Sequence, residues 1–360
     1  MTHLEKITLR GYKSIRSLDE FPLNRGVNVM IGANGSGKTN FISFFSLLGY
    51  LMNGKLQSYV AKSGGADALL FRGMKVTPKM EAHLYFGRNE YRVELEAAND
   101  RSLFFAHESA RFRGPTDGLT IYEQGVGYRE SWIATVPKWN TPVQFARDTL
   151  SSWRVYHFHD TSPDAAVMGR CNTADNKLLH SDAGNVAAVL RRLANEEPDA
   201  LFRIEEAVRL VAPFFSKFHF PDHPNEQTQL MWHDRHSPET LYSPYQLSDG
   251  TLRFICLTTL LVMPSRPAMV IIDEPELGLH PHAIDVLASM LEEASESTQL
   301  LLSTQSSRLL DHFSAREVIV ANHREGETLL ERLDGDQLAA WLEDYSLGEL
   351  WEHERLGGTR

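Results

Sequence analysis

Only two cysteines, Cys171 and Cys256, occur in 360 residues, far apart and without metal-site spacing. That scarcity excludes a disulfide framework and points to a reduced, cytoplasmic setting. Long apolar runs are also missing. None reaches the roughly 20 residues that cross a bilayer, and no basic-plus-apolar leader opens the sequence, so no membrane partner is expected. Positive charge is short: 36 Lys and Arg stand against 47 Asp and Glu, a formal net charge of −11. Broad, non-specific nucleic-acid binding draws on cationic surface, so this balance argues against it while leaving a local basic patch open. No sustained heptads lie between Tyr50 and Gln246, which excludes a long coiled-coil rod. Repeats and low-complexity tracts are absent too.

What is present is an enzyme-like composition, 42% hydrophobic, ample for one elaborated domain with two lobes. Its most telling stretch is Gly32-Ala33-Asn34-Gly35-Ser36-Gly37-Lys38-Thr39. It follows the β-type run Val27 to Ile31 and precedes an apolar helix-like run from Phe41 to Leu48. Strand, glycine loop and helix in that order make a phosphate cradle. Glycines let backbone N–H groups turn toward the anion, and the helix N-terminus adds a favourable dipole. Lys38 is expected on the terminal phosphates of ATP and the Thr39 hydroxyl on Mg²⁺; Asn40 completes the expected nucleotide-binding set.

The continuous apolar run Met269-Val270-Ile271-Ile272 reads as a central parallel strand buried on both faces. It ends in Asp273-Glu274-Pro275, where open α/β sheets place their ligands. Asp273 is then the second Mg²⁺ ligand beside Thr39, and Glu274 the base that orients and deprotonates water. Upstream, Leu247-Ser248-Asp249-Gly250-Thr251 opens an apolar helix running to Met263. Ser248 and the N–H groups around Gly250 make a second anion-binding helix N-terminus.

The run Leu247 to Phe254 resembles the signature motif of ABC-type ATPases. That resemblance implies an α/β fold, an ABC-type nucleotide-binding domain with an antiparallel β subdomain and a helical lobe. It also implies a head-to-tail homodimer in which Ser248 and Gly250 cap the ATP held by the other subunit. Glu276-Leu277-Gly278-Leu279-His280-Pro281 resembles the turn after the catalytic Glu in RecF-like and OLD-like ATPases. Ile7 to Ile15 resembles the opening strand and loop of RecF, SMC and OLD proteins, where a basic residue at the position of Lys13 helps hold nucleotide. Trp341 to Trp351 looks like the tail of stand-alone, RecF-like bacterial AAA family ATPases. One departure stands out: Gln305, in Ser303-Thr304-Gln305, occupies the position where the commonest pattern has His. A Gln can donate to a terminal phosphate but neither titrates nor carries charge. The glutamine that enters the helical lobe in such proteins has its best candidate position around His159 and Asp160.

The expected organisation is 1–48, the first part of the nucleotide-binding lobe; 49–155, a strand-rich insertion; and 156–246, a helical lobe. Segment 247–333 is expected to return to the nucleotide-binding lobe, and 334–360 to be a helical tail. Met80 to Phe86 and Tyr91 to Ala97 read as a hairpin around Gly87-Arg88-Asn89, and the runs Arg101 to Phe112 and Leu119 to Trp132, separated by Gly114-Pro115, as its continuation. Thr141-Pro142 starts a helix running to about Trp153, and two more helices are expected over Asn185 to Ala194 and Pro198 to Val211. The histidine pairs His157/His159, His219/His223 and His233/His236 lack the spacing of a dedicated transition-metal site, and Arg191-Arg192 reads as a solvated helix face. Fewer than about sixty residues follow Ser303, so no nuclease domain of typical size is expected there.

The sequence therefore reads as an ATP-hydrolysing RecF/OLD-like module that drives a separately encoded effector, in phage defence or DNA repair. The alternative is a nucleotide-gated scaffold with little turnover.

Overall fold

The protein is described by a computed structural model covering residues 3–114, 118–136, 141–221 and 226–357. Two sheets share one helix. The strand Val27–Ile31 lies inside a six-stranded sheet whose spatial order is Glu327–Arg332, Val318–Arg324, Val27–Ile31, Gln299–Ser303, Met269–Asp273 and Arg154–Tyr156. Every neighbour pair is parallel except the hairpin between Val318–Arg324 and Glu327–Arg332. Val27, Val29 and Ile31 pack into one core and Met30 into another, the period-2 alternation of a strand covered on both sides.

A second sheet of six antiparallel strands runs Ile15–Pro22, Lys6–Tyr12, Lys79–Phe86, Asn89–Ala97, Leu103–Arg113 and Leu119–Gln124. The hairpin around residues 87–89 is formed, and Phe86 faces Asn89 across the turn. The last strand ends at Gln124, short of the expected run to Trp132. The chain instead leaves the ladder, and the buried Glu108 draws residues 128–132 back: its carboxylate accepts hydrogen bonds from Tyr91 (2.8 Å), Ser131 Oγ (2.7 Å) and the Trp132 N–H (2.9 Å). Pro115, Asn140 and His223 lie outside the described residues.

The helix Lys38–Met52 lies between the sheets. Phe41, Phe44, Phe45, Leu48 and Leu51 are almost wholly buried against Leu9, Leu84 and Val93 of the antiparallel sheet and Met30, Ile271 and Leu301 of the parallel one. The apolar residues of this helix cover both sheets, and it leaves a half-exposed stripe of Asn40, Ser43, Ser46 and Tyr50 toward solvent. The opposite face of the parallel sheet carries Val186–Glu196, Pro198–Val211, Asp249–Val262 and Pro281–Ser295. The helix Thr141–Ser152 precedes the edge strand Arg154–Tyr156.

The chain closes with helices Gly335–Leu342 and Leu347–Glu352. The expected helical tail over 334–360 divides into two helices of different burial. Leu347, Leu350, Trp351 and Leu356 join the core beneath the parallel sheet, whereas Trp341, Leu342 and Tyr345 are exposed. Among the described residues, no helix is long and apolar enough to cross a membrane.

Candidate nucleotide-binding site

Residues 32–37 connect Val27–Ile31 to Lys38–Met52 at the C-terminal edge of the parallel strands. Gly37 precedes the helix with φ +101°, and a Cβ there would lie 1.8 Å from Thr328 Oγ1. Only glycine tolerates both the conformation and the approach. Thr328 locks the loop from behind, donating to the Ser36 carbonyl (2.9 Å) and pairing with Ser14 Oγ (2.7 Å), which also accepts from Asn40 Nδ2 (2.7 Å).

Lys38 is buried, and its ammonium donates to the carbonyls of Gly32 (2.5 Å) and Ala33 (3.1 Å). Burial lowers its pKa from the ordinary lysine value, opposed by the negative charges of Glu274, Asp273 and Glu276 in that order. Those three carboxylates therefore share the electrostatic neighbourhood of the loop. Ser36 Oγ is buried without a hydrogen-bond partner among the described residues. A glycine-walled loop, a dehydrated ammonium and an orphaned hydroxyl together fit a phosphate-bearing ligand.

Asp273 ends its strand at the same edge and accepts a hydrogen bond from Ser303 Oγ. Thr39 is exposed in the first turn of the helix, so an oxygen ligand remains on each of two elements, the donor chemistry Mg²⁺ takes. Glu274 stands next in the left-handed region, φ +47°, before Pro275. Its N–H donates to the Ser303 carbonyl (3.0 Å). A non-glycine residue held there stores local strain, which persists where the surroundings fix it. Gln305 Nε2 donates to Glu274 Oε1, and the Gln305 N–H to Glu276 Oε1 (3.1 Å). Thr304 Oγ1 donates to the same Glu276 oxygen (2.6 Å). Burial raises the Glu276 carboxyl above the ordinary glutamate value, and its second oxygen is buried without a partner among the described residues. Glu276, in the sequence only part of a resembling turn, thus organises the Gln305 loop.

Ser248 caps Asp249–Val262, accepting from the Thr251 N–H (3.2 Å), and is exposed. A Cβ on Gly250 would lie 2.5 Å from the Gly278 carbonyl oxygen. Arg253 fastens the same contact, donating to the carbonyls of Leu277 (3.0 Å), Phe158 (3.1 Å) and His159 (2.7 Å). His159 Nε2 is in turn 2.9 Å from the Asp273 carbonyl oxygen. The region of His159 and Asp160 thus adjoins the Asp273 strand, and Asp160 itself accepts from the Ser162 N–H (3.0 Å) in an exposed turn.

Lys13 is set apart from this group. Its ammonium donates to Ser43 Oγ (2.8 Å), and burial lowers its pKa. It lines an open cavity of about 780 Å³ with Ser14, Asn40, Asp67 and Arg72. Gly32, Ala33, Asn34 and Gln305 line a different cavity, of about 330 Å³. Gly35 lines neither; among the described residues nothing stands within 4 Å of where its side chain would begin. Thr328, which locks a loop 292 residues away in the chain, carried no local sequence signal; Trp351, read in the sequence only as part of a tail, forms a wall of the smaller cavity.

Residues 27–311, well over half of the chain, match the model of a family described as "AAA domain, putative AbiEii toxin, Type IV TA system". Among solved structures, the chain is similar to an SmcHead bound to the C-winged helix domain of ScpA. The TM-score is 0.61 at 14% identity, covering 93% of this chain and 99% of that one. It is also similar to an Smc head domain with an extended coiled coil, bound to the C-terminal domain of ScpA and derived from Pyrococcus furiosus. That match has TM-score 0.54 and 14% identity over 96% and 99%. An Smc head domain with a coiled coil and joint from Pyrococcus yayanosii matches at TM-score 0.53 and 11% identity over the same shares. Identities this low carry the fold alone. It is that of an ABC-type P-loop nucleotide-binding domain, with an antiparallel β subdomain and a helical lobe. The chain belongs to the AAA ATPase family that carries this description.

Proposed function

We propose that the protein hydrolyses ATP with Mg²⁺ and uses the cycle to open and close a homodimer that drives a separate effector. The observation that supports this reading is the parallel register of Met30, Ser303 and Asp273, which puts the loop before Lys38 and the Asp273-Glu274 pair at one edge of the sheet.

Residues Gly32 to Asn40 would hold the phosphates, with Thr39 and Asp273 as Mg²⁺ ligands. The metal would supply charge neutralisation at the phosphate oxygens. Lys38 would exchange its two loop carbonyls for phosphate oxygens, so the loop is held ready by a bond that the ligand replaces. Glu274 would accept the proton of the attacking water. Gln305 would present its amide to the terminal phosphate, leaving Glu274 free. Ser248 and Gly250, at an exposed helix N-terminus, would meet the nucleotide of a second copy. Lys13, at Ser43 one turn beyond Thr39, would contribute from the larger cavity.

The bond from Gln305 to Glu274 favours a second reading, a scaffold that binds ATP and scarcely turns it over, because the amide occupies the base. The Glu274→Gln variant separates the two. An ATPase keeps ATP binding and loses roughly two to four orders of magnitude in turnover, the usual range for a positioned base. A scaffold starts near the background rate and loses nothing.

The setting we favour is phage defence, ahead of DNA repair. A family description that names a toxin of a toxin–antitoxin system supports it, and the Smc heads bound to ScpA domains offer a precedent in this fold for a separate partner.

A further inference from the structure

The C-terminal helix reaches the phosphate loop. Trp351, only 7% exposed, lines the cavity of about 330 Å³ together with Gly32, Ala33, Asn34 and Gln305. Backbone N–H groups later in such a loop, toward its helix, embrace the inner phosphates. Gln305 is bonded to Glu274, the expected base, so this cavity marks the terminal-phosphate end.

Trp351 is held there by a short chain of fixed contacts that begins at Gln305 itself. The next residue, Ser306, caps the helix Ser307–Leu310 by accepting from the Leu309 N–H (3.2 Å). Asp311, which follows that helix, accepts from the Gly348 N–H (2.6 Å), and a Cβ on Gly348 would lie 2.6 Å from the Ser307 carbonyl oxygen. Ser346 and Glu349 close a reciprocal cap on Leu347–Glu352, with bonds of 3.2 Å and 2.8 Å. One turn later Trp351 returns to the loop. Trp351 thus belongs to the core beneath the parallel sheet and also walls the cavity that Asn34 and Gln305 line. An indole at that place offers a flat apolar wall and one N–H donor.

We infer that Trp351 is a positioning residue for the terminal phosphate: it holds Gln305 against the phosphate loop, favours ATP over ADP, and makes residues 346–356 respond to the nucleotide. The inference rests on the nucleotide-binding reading above and concerns only the terminal-phosphate end.

The test compares wild type, Trp351→Phe and Trp351→Ala in the full chain, by calorimetric binding of a slowly hydrolysed ATP analogue and of ADP. Trp351→Ala should weaken the analogue by about tenfold and ADP by less than about twofold, and Trp351→Phe, which keeps a flat ring, should recover most of the loss. Equal losses for both nucleotides, or no loss, overturn the inference. Hydrogen exchange on wild type keeps the question decidable if Trp351→Ala fails to fold. Amides of 346–356 should exchange more slowly with the analogue than with ADP, and identical protection overturns the inference. A wild type that binds no ATP at all sinks the nucleotide reading, and this inference with it. Wild-type binding that is lost in Lys38→Ala but indifferent to Trp351 sinks this inference alone.

Discussion

Gly250, in the first turn of the helix Asp249–Val262, faces Gly278 so closely that a Cβ on Gly250 would lie 2.5 Å from the Gly278 carbonyl oxygen. The turn after Glu274 and the helix opened by Ser248 are thereby one rigid unit, with Arg253 bonded to the Leu277 carbonyl beside it. Gly250→Ala should force them apart, costing about 1–3 kcal/mol as overpacked contacts do. Thermal unfolding and turnover measured together check this. A variant with unchanged melting and unchanged turnover would show that the contact is dispensable.

Lys38→Ala removes an ammonium whose hydrogen bonds, among the described residues, go to the Gly32 and Ala33 carbonyls. The fold should survive and ATP affinity should fall by roughly 100-fold or more, the scale of lost charge-assisted phosphate contacts. Calorimetry on a variant with a native circular dichroism spectrum is the measurement. Undiminished affinity would move the nucleotide elsewhere.

Ser248→Arg tests the proposed dimer. The exposed position has room for the larger side chain; losing the Ser248 cap costs about 1 kcal/mol of helix stability, and ATP binding at the same chain's loop should change little. Association in the presence of a slowly hydrolysed analogue should be lost, because the arginine would fill the place of the partner's terminal phosphate. Sedimentation velocity reads the result, and dimerisation at wild-type strength would sink the composite site.

Glu108 gives a pH prediction away from the nucleotide. Burial raises its carboxyl above the ordinary value of 4.5, against the downward pull of hydrogen bonds from Ser131, Tyr91 and Trp132. A raised acid binds its proton more tightly folded than unfolded, so its contribution to stability is fully present below 4.5 and declines as pH rises through the folded value. Glu108→Gln cannot titrate. It should cost roughly 1–3 kcal/mol overall, because an amide NH₂ meets donors. That deficit should shrink as pH rises from about 4 to 7. Denaturant unfolding at several pH values would show it; a constant deficit would mean that folding leaves the Glu108 carboxyl unshifted, and a widening one that folding lowers it.

The strand and helix on either side of the glycine loop, the strand ending at Asp273 and the helix opening at Asp249 were legible because each is specified locally. Spacing over a few residues specifies a strand, a turn of particular φ and a helix N-terminus, whatever the rest of the chain does. The apolar helix of residues 41–48 was legible as a helix, yet its burial between two different sheets was not. The hairpin around residues 87–89 was visible in alternation and turn residues, whereas the strand expected to reach Trp132 stopped at Gln124. There Glu108 offers Ser131 and the Trp132 N–H a competing acceptor, and no local pattern reveals that bond.

The sequence by itself determined the chemistry on offer: an ammonium, a hydroxyl, two adjacent carboxylates and a glutamine at strand ends and helix starts. Tertiary structure decided which of these share a site. It put Lys38 within the field of Glu274, Asp273 and Glu276, left Lys13 on the larger cavity with Ser43, and locked Gly37 with Thr328. It also brought Trp351 to the loop that begins at Gly32. The physical reason is range. Backbone conformation and helix capping follow from neighbours a few residues away, while burial, electrostatic coupling and close approach depend on segments that only the packed sheets bring together.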